Sequence, residues 1–209
     1  MARERTARAS GSGEPSKSAR TRERILSAAA QVLSRKGYAG TRLSDIAEVA
    51  AVQAPAIYYY WSSREELLEE VVTVGQQATL EHVVETLETL PEDASALARI
   101  DRAIAAHLEV VLRRSDFSLA AIRNAGQLPT DIRERQLVGQ REYAEVWRAL
   151  VEEAAAAGDL ADGLDVRSAR MLVLGALNWA PEWWNPDRGS LDDVVATCQH
   201  VVHSGLRPR

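Results

Sequence analysis

The sequence predicts an all-α fold, with a small N-terminal helical head and a larger helical body. Three observations carry that reading. Alanine, leucine and glutamate are abundant, while the 209 residues include only 12 Gly and 7 Pro, a bias toward helix. Apolar residues recur at three- and four-residue spacings along most of the chain, and no stretch reads convincingly as a strand. The charge is also unevenly placed. Residues 1–64 carry 11 Lys/Arg against 5 Asp/Glu, a net +6, and residues 65–209 carry 14 against 25, a net −11. The overall charge of −5 argues by itself against a nucleic-acid partner. A basic head on an acidic body is instead the asymmetry of a protein that meets phosphate at one end.

Residues 1–19 are mostly Ser, Gly, Arg and Glu, the composition of a flexible basic arm that cannot bury enough surface to offset chain entropy. A first helix is expected over about 21–36, with Ile25, Leu26, Ala29, Val32 and Leu33 on one face. Gly37, after Arg35 and Lys36, is its C-cap. Thr41 suits the N-cap of a short second helix whose inner stripe is Leu43, Ile46, Ala47 and Ala50. Ala51 and Val52 form a turn. A third helix covers about 54–60, with Pro55 in its first turn, where a missing N–H costs little. Ser63-Arg64-Glu65-Glu66 reads as a capping box opening a long fourth helix to about residue 90. Gly75 inside it is either a flex point or a site of close packing.

Pro91 breaks the pattern. Helices are then expected over about 94–114 and through Phe117–Arg123, ended by Leu128-Pro129. Thr130 caps a long helix with Leu137, Gln140, Ala144, Trp147, Val151 and Ala154 on one face, stopped near Gly158. Asp165 caps a helix over 166–180 that is apolar round most of its circumference and is ended by Pro181. Ser190 caps the last helix, over 190–206. The single cysteine, Cys198, excludes an internal disulfide. No secretory signal and no membrane-length apolar run is present, so a cytoplasmic protein is expected. His200 and His203 share a helix face without a third ligand, and no nucleophile motif, P-loop or dinucleotide fingerprint appears. No metal, cofactor or catalytic residue is therefore expected, and the chain does not read as an enzyme.

Two short helices joined by a tight turn behind a supporting helix form a helix-turn-helix, narrow enough to present one element to a major groove. The run Thr41-Arg42-Leu43-Ser44-Asp45-Ile46-Ala47, then Ala50-Ala51-Val52, Ile57-Tyr58-Tyr59-Tyr60-Trp61 and Ser63-Arg64-Glu65-Glu66-Leu67-Leu68 resembles the DNA-binding region of the tetracycline-repressor (TetR) family. The resemblance spans residues 21–68. It departs from the family at Ala51, where a Gly is usual, and at Ala54 and Ala56, where Lys and Thr or Ser are frequent. Both alanines can still touch thymine methyls.

The resemblance implies a division into an arm (1–19), a DNA-binding head (20–66) and an effector-binding and dimerisation body (67–209). It implies phosphate contacts from Thr41, Tyr59 and Arg64, with Arg42 added, and a phosphate or base-edge contact from Tyr58. Base reading then falls mainly to Gln53, Ser44 and Tyr58. Trp61 and Ile57 are expected in the core. Arg20 and Arg22 either reach the DNA backbone or minor groove or stay in solvent.

The last two helices are expected to pair two protomers into a homodimer on a palindromic double-stranded operator. Candidate effector contacts are His107, Phe117, Arg123, Asn124, Tyr143, Trp147, Asn178 and Trp179. A looser resemblance, from residues 175–179 with Trp183 and Trp184 and from Leu128-Pro129 with Tyr143 and Trp147, is to regulators of fatty-acid and sterol catabolism. It implies an acyl-CoA effector and a repressor that the effector releases. A drug-like hydrophobic effector, or a DNA-binding regulator with no small-molecule control, is the alternative.

Overall fold

The computed structural model describes residues 16–206, and among them the only regular structure is helix. The first helix, α1 (Lys17–Gly40), starts four residues earlier than its apolar pattern suggests. The Ser16 hydroxyl caps it by accepting from the Ala19 N–H at 3.1 Å. Residues 17–19, expected in the arm, are thus helical; the arm's residues 1–15 lie outside the described residues. Gly37 breaks α1 at φ 69°, a conformation open to glycine. The chain then enters α2 (Leu43–Val49) and α3 (Ala54–Ile57).

α4 (Arg64–Glu88) is capped by Ser63, whose Oγ accepts from the Glu66 N–H. The reciprocal half of the expected box is shifted by one residue: Glu66 accepts from the backbone N–H of Ser62 at 2.7 Å. α5 (Ala96–Glu109) closes in a π-helical turn (Val110–Arg114), and α6 (Asp116–Asn124) follows from a Ser115 cap. α7 (Thr130–Ala156), α8 (Val166–Trp183) and α9 (Leu191–Leu206) complete the body.

Three sequence expectations fail here for identifiable reasons. Thr130 is the first residue of α7 and makes no cap; Pro129 holds the cap position. Leu137 is exposed, because the N-terminal half of α7 buries Ile132 and Gln136 instead. Pro181 does not end α8, which runs on to Trp183. A proline at this point costs one helical hydrogen bond, and its own carbonyl is taken by the Arg123 guanidinium at 3.1 Å.

The apolar interior forms two clusters. One joins α1, α2, α3 and the first turns of α4 to α6, through Ala120 and Ala121, and to Leu128 and Ile132. The other joins the end of α4 to α5, α7, α8 and α9 around Trp147. The head's core therefore does not stop at residue 66; α6 completes it. Gly75 is where α4 crosses the start of α6. A Cβ there would overlap the Phe117 carbonyl, and the Gly75 carbonyl accepts from Thr79 Oγ1 at 2.8 Å and Ser118 Oγ at 3.1 Å. Of the two readings of Gly75, close packing is the one realised.

Candidate DNA-reading head and effector cavity

The turn between α2 and α3 is closed by Val52 N–H donating to the Ala47 carbonyl at 3.0 Å and Ala51 N–H to Glu48 at 3.1 Å. Ala51 takes φ 50°, the left-handed conformation that a glycine would adopt without a Cβ penalty of about 1–2 kcal/mol. α3 is one turn long, not the two expected. Beyond Ile57 the chain tightens, with Tyr60 N–H on the Ile57 carbonyl at 2.9 Å. That tightening turns Ile57 and Trp61 into the core and throws Tyr58 and Tyr59 outward, at 58% and 80% exposure. Arg42, Ser44 and Gln53 are also exposed, and Ala54 and Ala56 are half-buried on α3.

Three of the expected DNA contacts are committed elsewhere. Thr41 is buried, its hydroxyl donating to the Gly37 carbonyl at 2.7 Å. It neither caps α2, where Arg42 holds the cap position, nor reaches solvent. The Arg64 guanidinium donates to the Thr41 carbonyl at 2.7 Å and to the Tyr38 carbonyl, pairs with Glu65, and lies 4.5 Å from the Tyr38 ring centroid. Its nitrogens clamp the link between α1 and α2 rather than standing free on the outer face. Arg22 donates to both Glu70 oxygens at 2.6–2.7 Å and stacks 4.8 Å from the Trp61 ring centroid. Glu70 also accepts from the Trp61 indole N–H at 2.6 Å, so Arg22 belongs to a structural triad.

In the body, a cavity of about 940 Å³ opens where α1, α4, α5, α6, α7 and α8 meet. Five of the eight expected effector contacts line it: His107, Arg123, Tyr143, Asn178 and Trp179. The other three do not. Phe117 packs against the head's core. Asn124 is fully buried and ties α6 to α1, accepting from the Tyr38 N–H at 2.7 Å and donating to the Ala120 carbonyl at 2.8 Å. Trp147 is fully buried behind Tyr143 at a ring separation of 6.5 Å. The wall also includes residues 34–37 at the end of α1, Gln76 and Thr79 of α4, Gln140 of α7 and Gly175 of α8. These were missed by the sequence reading, although Gln140 carried a signal: a polar residue on an otherwise apolar stripe.

His107 is 1% exposed, and its Nδ1 lies 2.6 Å from the Tyr143 hydroxyl. Burial pushes its pKa down to about 4, while the nearby Asn178 side chain pulls weakly the other way. The imidazole is therefore neutral at physiological pH. Nε2 is buried with no hydrogen-bond partner. Burial likewise pushes the Tyr143 phenol well up. Arg123 spans the cavity wall, donating to Glu182 at 2.6 Å, the Ser34 carbonyl at 3.0 Å and the Pro181 carbonyl at 3.1 Å. Arg35 and Lys36 add two more cations to the wall, and Lys36 pairs with Asp45 at 2.9 Å.

α8 and α9 also expose Met171, Leu172, Trp179, Trp183 and Val201, each more than half accessible, beside an apolar groove containing Cys198; Met171 and Trp179 line the cavity as well. Among the described residues no cluster of three or more His, Cys, Asp or Glu could hold a metal, and no helix is long and apolar enough to cross a membrane.

Comparison with known proteins matches both regions. Residues 25–71 match the family described as "Bacterial regulatory proteins, tetR family", and residues 93–205 match "Tetracyclin repressor-like, C-terminal domain". The "Fatty acid metabolism regulator protein" of Bacillus subtilis is 24% identical over 186 residues, covering 87% of this chain and 93% of that one. The "HTH-type transcriptional repressor KstR2" of Mycolicibacterium smegmatis is 22% identical, covering 82% and 83%. Among solved structures, AibR in complex with isovaleryl coenzyme A and operator DNA superposes with a TM-score of 0.78 at 20% identity, covering 87% of this chain and 97% of that one.

Proposed function

The chain belongs to the TetR family of bacterial transcription regulators, and on that footing we propose that it is a cytoplasmic homodimeric repressor released from a palindromic operator by an acyl-CoA. The cavity is the observation that carries this reading. Its volume of about 940 Å³ suits a ligand larger than a simple metabolite, and Arg35, Lys36 and Arg123 line it from α1 and α6, a charge pattern fitted to the phosphates of coenzyme A. The relatives named for fatty-acid metabolism and for an isovaleryl-CoA complex support the same ligand class.

The head (20–66) reads the operator through the side chains left free on its outer face. Gln53 and Ser44 face base edges, with Ala54 and Ala56 against thymine methyls. Arg42, Tyr58 and Tyr59 hold phosphates and set register. The body (67–209) pairs two protomers through the exposed apolar faces of α8 and α9, since so large an apolar patch on a lone chain calls for a partner.

Release follows from α6. It lines the cavity with Ala121, Ile122 and Arg123 and grips the end of α1 with Arg123 and Asn124. A ligand phosphate drawing Arg123 from Ser34 and Glu182 loosens that grip, so the two heads lose the spacing that matches half-sites about one helical turn apart. The effector need only favour the misaligned state by about 1–3 kcal/mol to lower operator affinity about 5- to 150-fold. Sedimentation equilibrium with and without a duplex recovered by in vitro selection tests the assembly. A dimer at micromolar concentration that binds a two-fold symmetric sequence is expected, and a monomer that binds no duplex contradicts the reading.

A further inference from the structure

The wall around His107 is more polar than a saturated hydrocarbon chain requires. Gln76, Thr79, Gln140, Tyr143 and Asn178 line the same cavity from α4, α7 and α8. His107 itself is 1% exposed, lines the cavity and has a buried Nε2 without a partner. The neighbouring hydrogen bond bears on what that atom offers. The Tyr143 hydroxyl lies 2.6 Å from His107 Nδ1. With the protonated phenol donating to Nδ1, the neutral ring carries its own proton on Nε2. The result is a buried N–H donor at the cavity wall.

An apolar chain lying over this N–H would leave it unsatisfied, whereas a ligand oxygen at the same point would accept from it. A carboxylate is not the matching group. The ring is held neutral, and the cations of the wall, Arg35, Lys36 and Arg123, stand on α1 and α6, whereas His107 and Tyr143 come from α5 and α7.

We propose that His107, held by Tyr143, is a specificity-determining residue that selects effectors bearing a neutral carbonyl or hydroxyl oxygen on the acyl chain over plain saturated chains. The inference rests on the cavity being the effector site, and it narrows the acyl-CoA class to its oxygenated members.

Isothermal calorimetry on the full chain tests it with butyryl-, octanoyl- and palmitoyl-CoA, each beside its 3-hydroxy and 3-oxo derivative. The expected result is that at least one oxygenated derivative binds about 5- to 150-fold more tightly than its saturated parent. That advantage should vanish in His107→Leu and persist in His107→Gln, which keeps a donor. Saturated chains binding as tightly as every oxygenated partner would overturn the inference while leaving an acyl-CoA effector in place. So would full discrimination surviving in His107→Leu. Binding of no thioester at all would overturn both. The wild-type comparison decides even where a variant fails to fold.

Discussion

The head and the body of this chain handle their polar groups in opposite ways. In the head, the buried and half-buried polar side chains are tied down internally: Thr41 to Gly37, Arg64 to Thr41 and Tyr38, and Arg22 and Trp61 to Glu70. In the body, His107 Nε2, Trp147 Nε1 and Trp184 Nε1 are buried without partners, and Leu172 and Trp179 stand 74% and 64% exposed. Among the described residues no buried, unpartnered side-chain atom falls in the head. The head is thus a finished object whose free side chains point outward. The body leaves polar atoms at and behind its cavity unpaired and an apolar face bare, which is where the proposed ligand and second copy would sit. A reader of DNA needs fixed geometry, and a sensor needs unmet interactions for its ligand to satisfy.

Gly75→Ala strikes the α4–α6 crossing that the two regions share. The added methyl would overlap the Phe117 carbonyl, and backbone cannot move aside as a side chain does. A loss of about 3 kcal/mol is expected, read by urea denaturation. Unchanged stability would mean that the α4–α6 crossing is not tight.

His107 offers a change of similar size, set by pH. Its folded pKa of about 4 lies below the ordinary 6.5, so between those values the unfolded chain binds more protons. The native state therefore keeps its full stability above about pH 6.5 and loses about 3 kcal/mol as pH falls toward 4. His107→Phe should flatten that part of the pH–stability curve, measured by denaturation at several pH values. A slope as steep as the parent's would show that another group is responsible.

Arg64→Ala should cost about 2 kcal/mol, because two carbonyls lose their donor, and should weaken binding to every duplex tested. Arg64→Lys should recover little, since one ammonium cannot replace the planar fork. Normal stability with weakened DNA binding would restore Arg64 to the DNA face. The smallest effect is expected in the body. Gly175 lines the cavity, and a Cβ there meets nothing within 4 Å. Gly175→Leu should raise stability by about 0.5–1 kcal/mol through helix propensity while lowering effector affinity in calorimetry. Unaltered affinity would place the ligand elsewhere.

Local chemistry was largely legible in the sequence. The caps at Ser63, Asp165 and Ser190 form as expected, because a cap depends on a few neighbouring residues. Tertiary packing overrode local signals where it could compensate: α8 continues through Pro181, whose carbonyl Arg123 holds. In the site, residues were found more readily than their partners. His107, Arg123, Tyr143, Asn178 and Trp179 reach the cavity, but periodicity alone could not say which side of α6 or α7 faces it, and so Phe117, Asn124 and Trp147 were misplaced. Arg64 and Thr41 could not be assigned for a related reason. An exposed cation and a clamping cation look alike until the carbonyls they bind are located in space.

Coupling between cavity and head is tested most directly by fluorescence anisotropy of the in vitro-selected duplex, titrated with the protein in the absence and presence of a saturating acyl-CoA shown by calorimetry to bind. Operator affinity is expected to fall about 5- to 150-fold, and Arg123→Ala to reduce this response. An operator affinity that stays the same with the cavity filled would contradict the coupling.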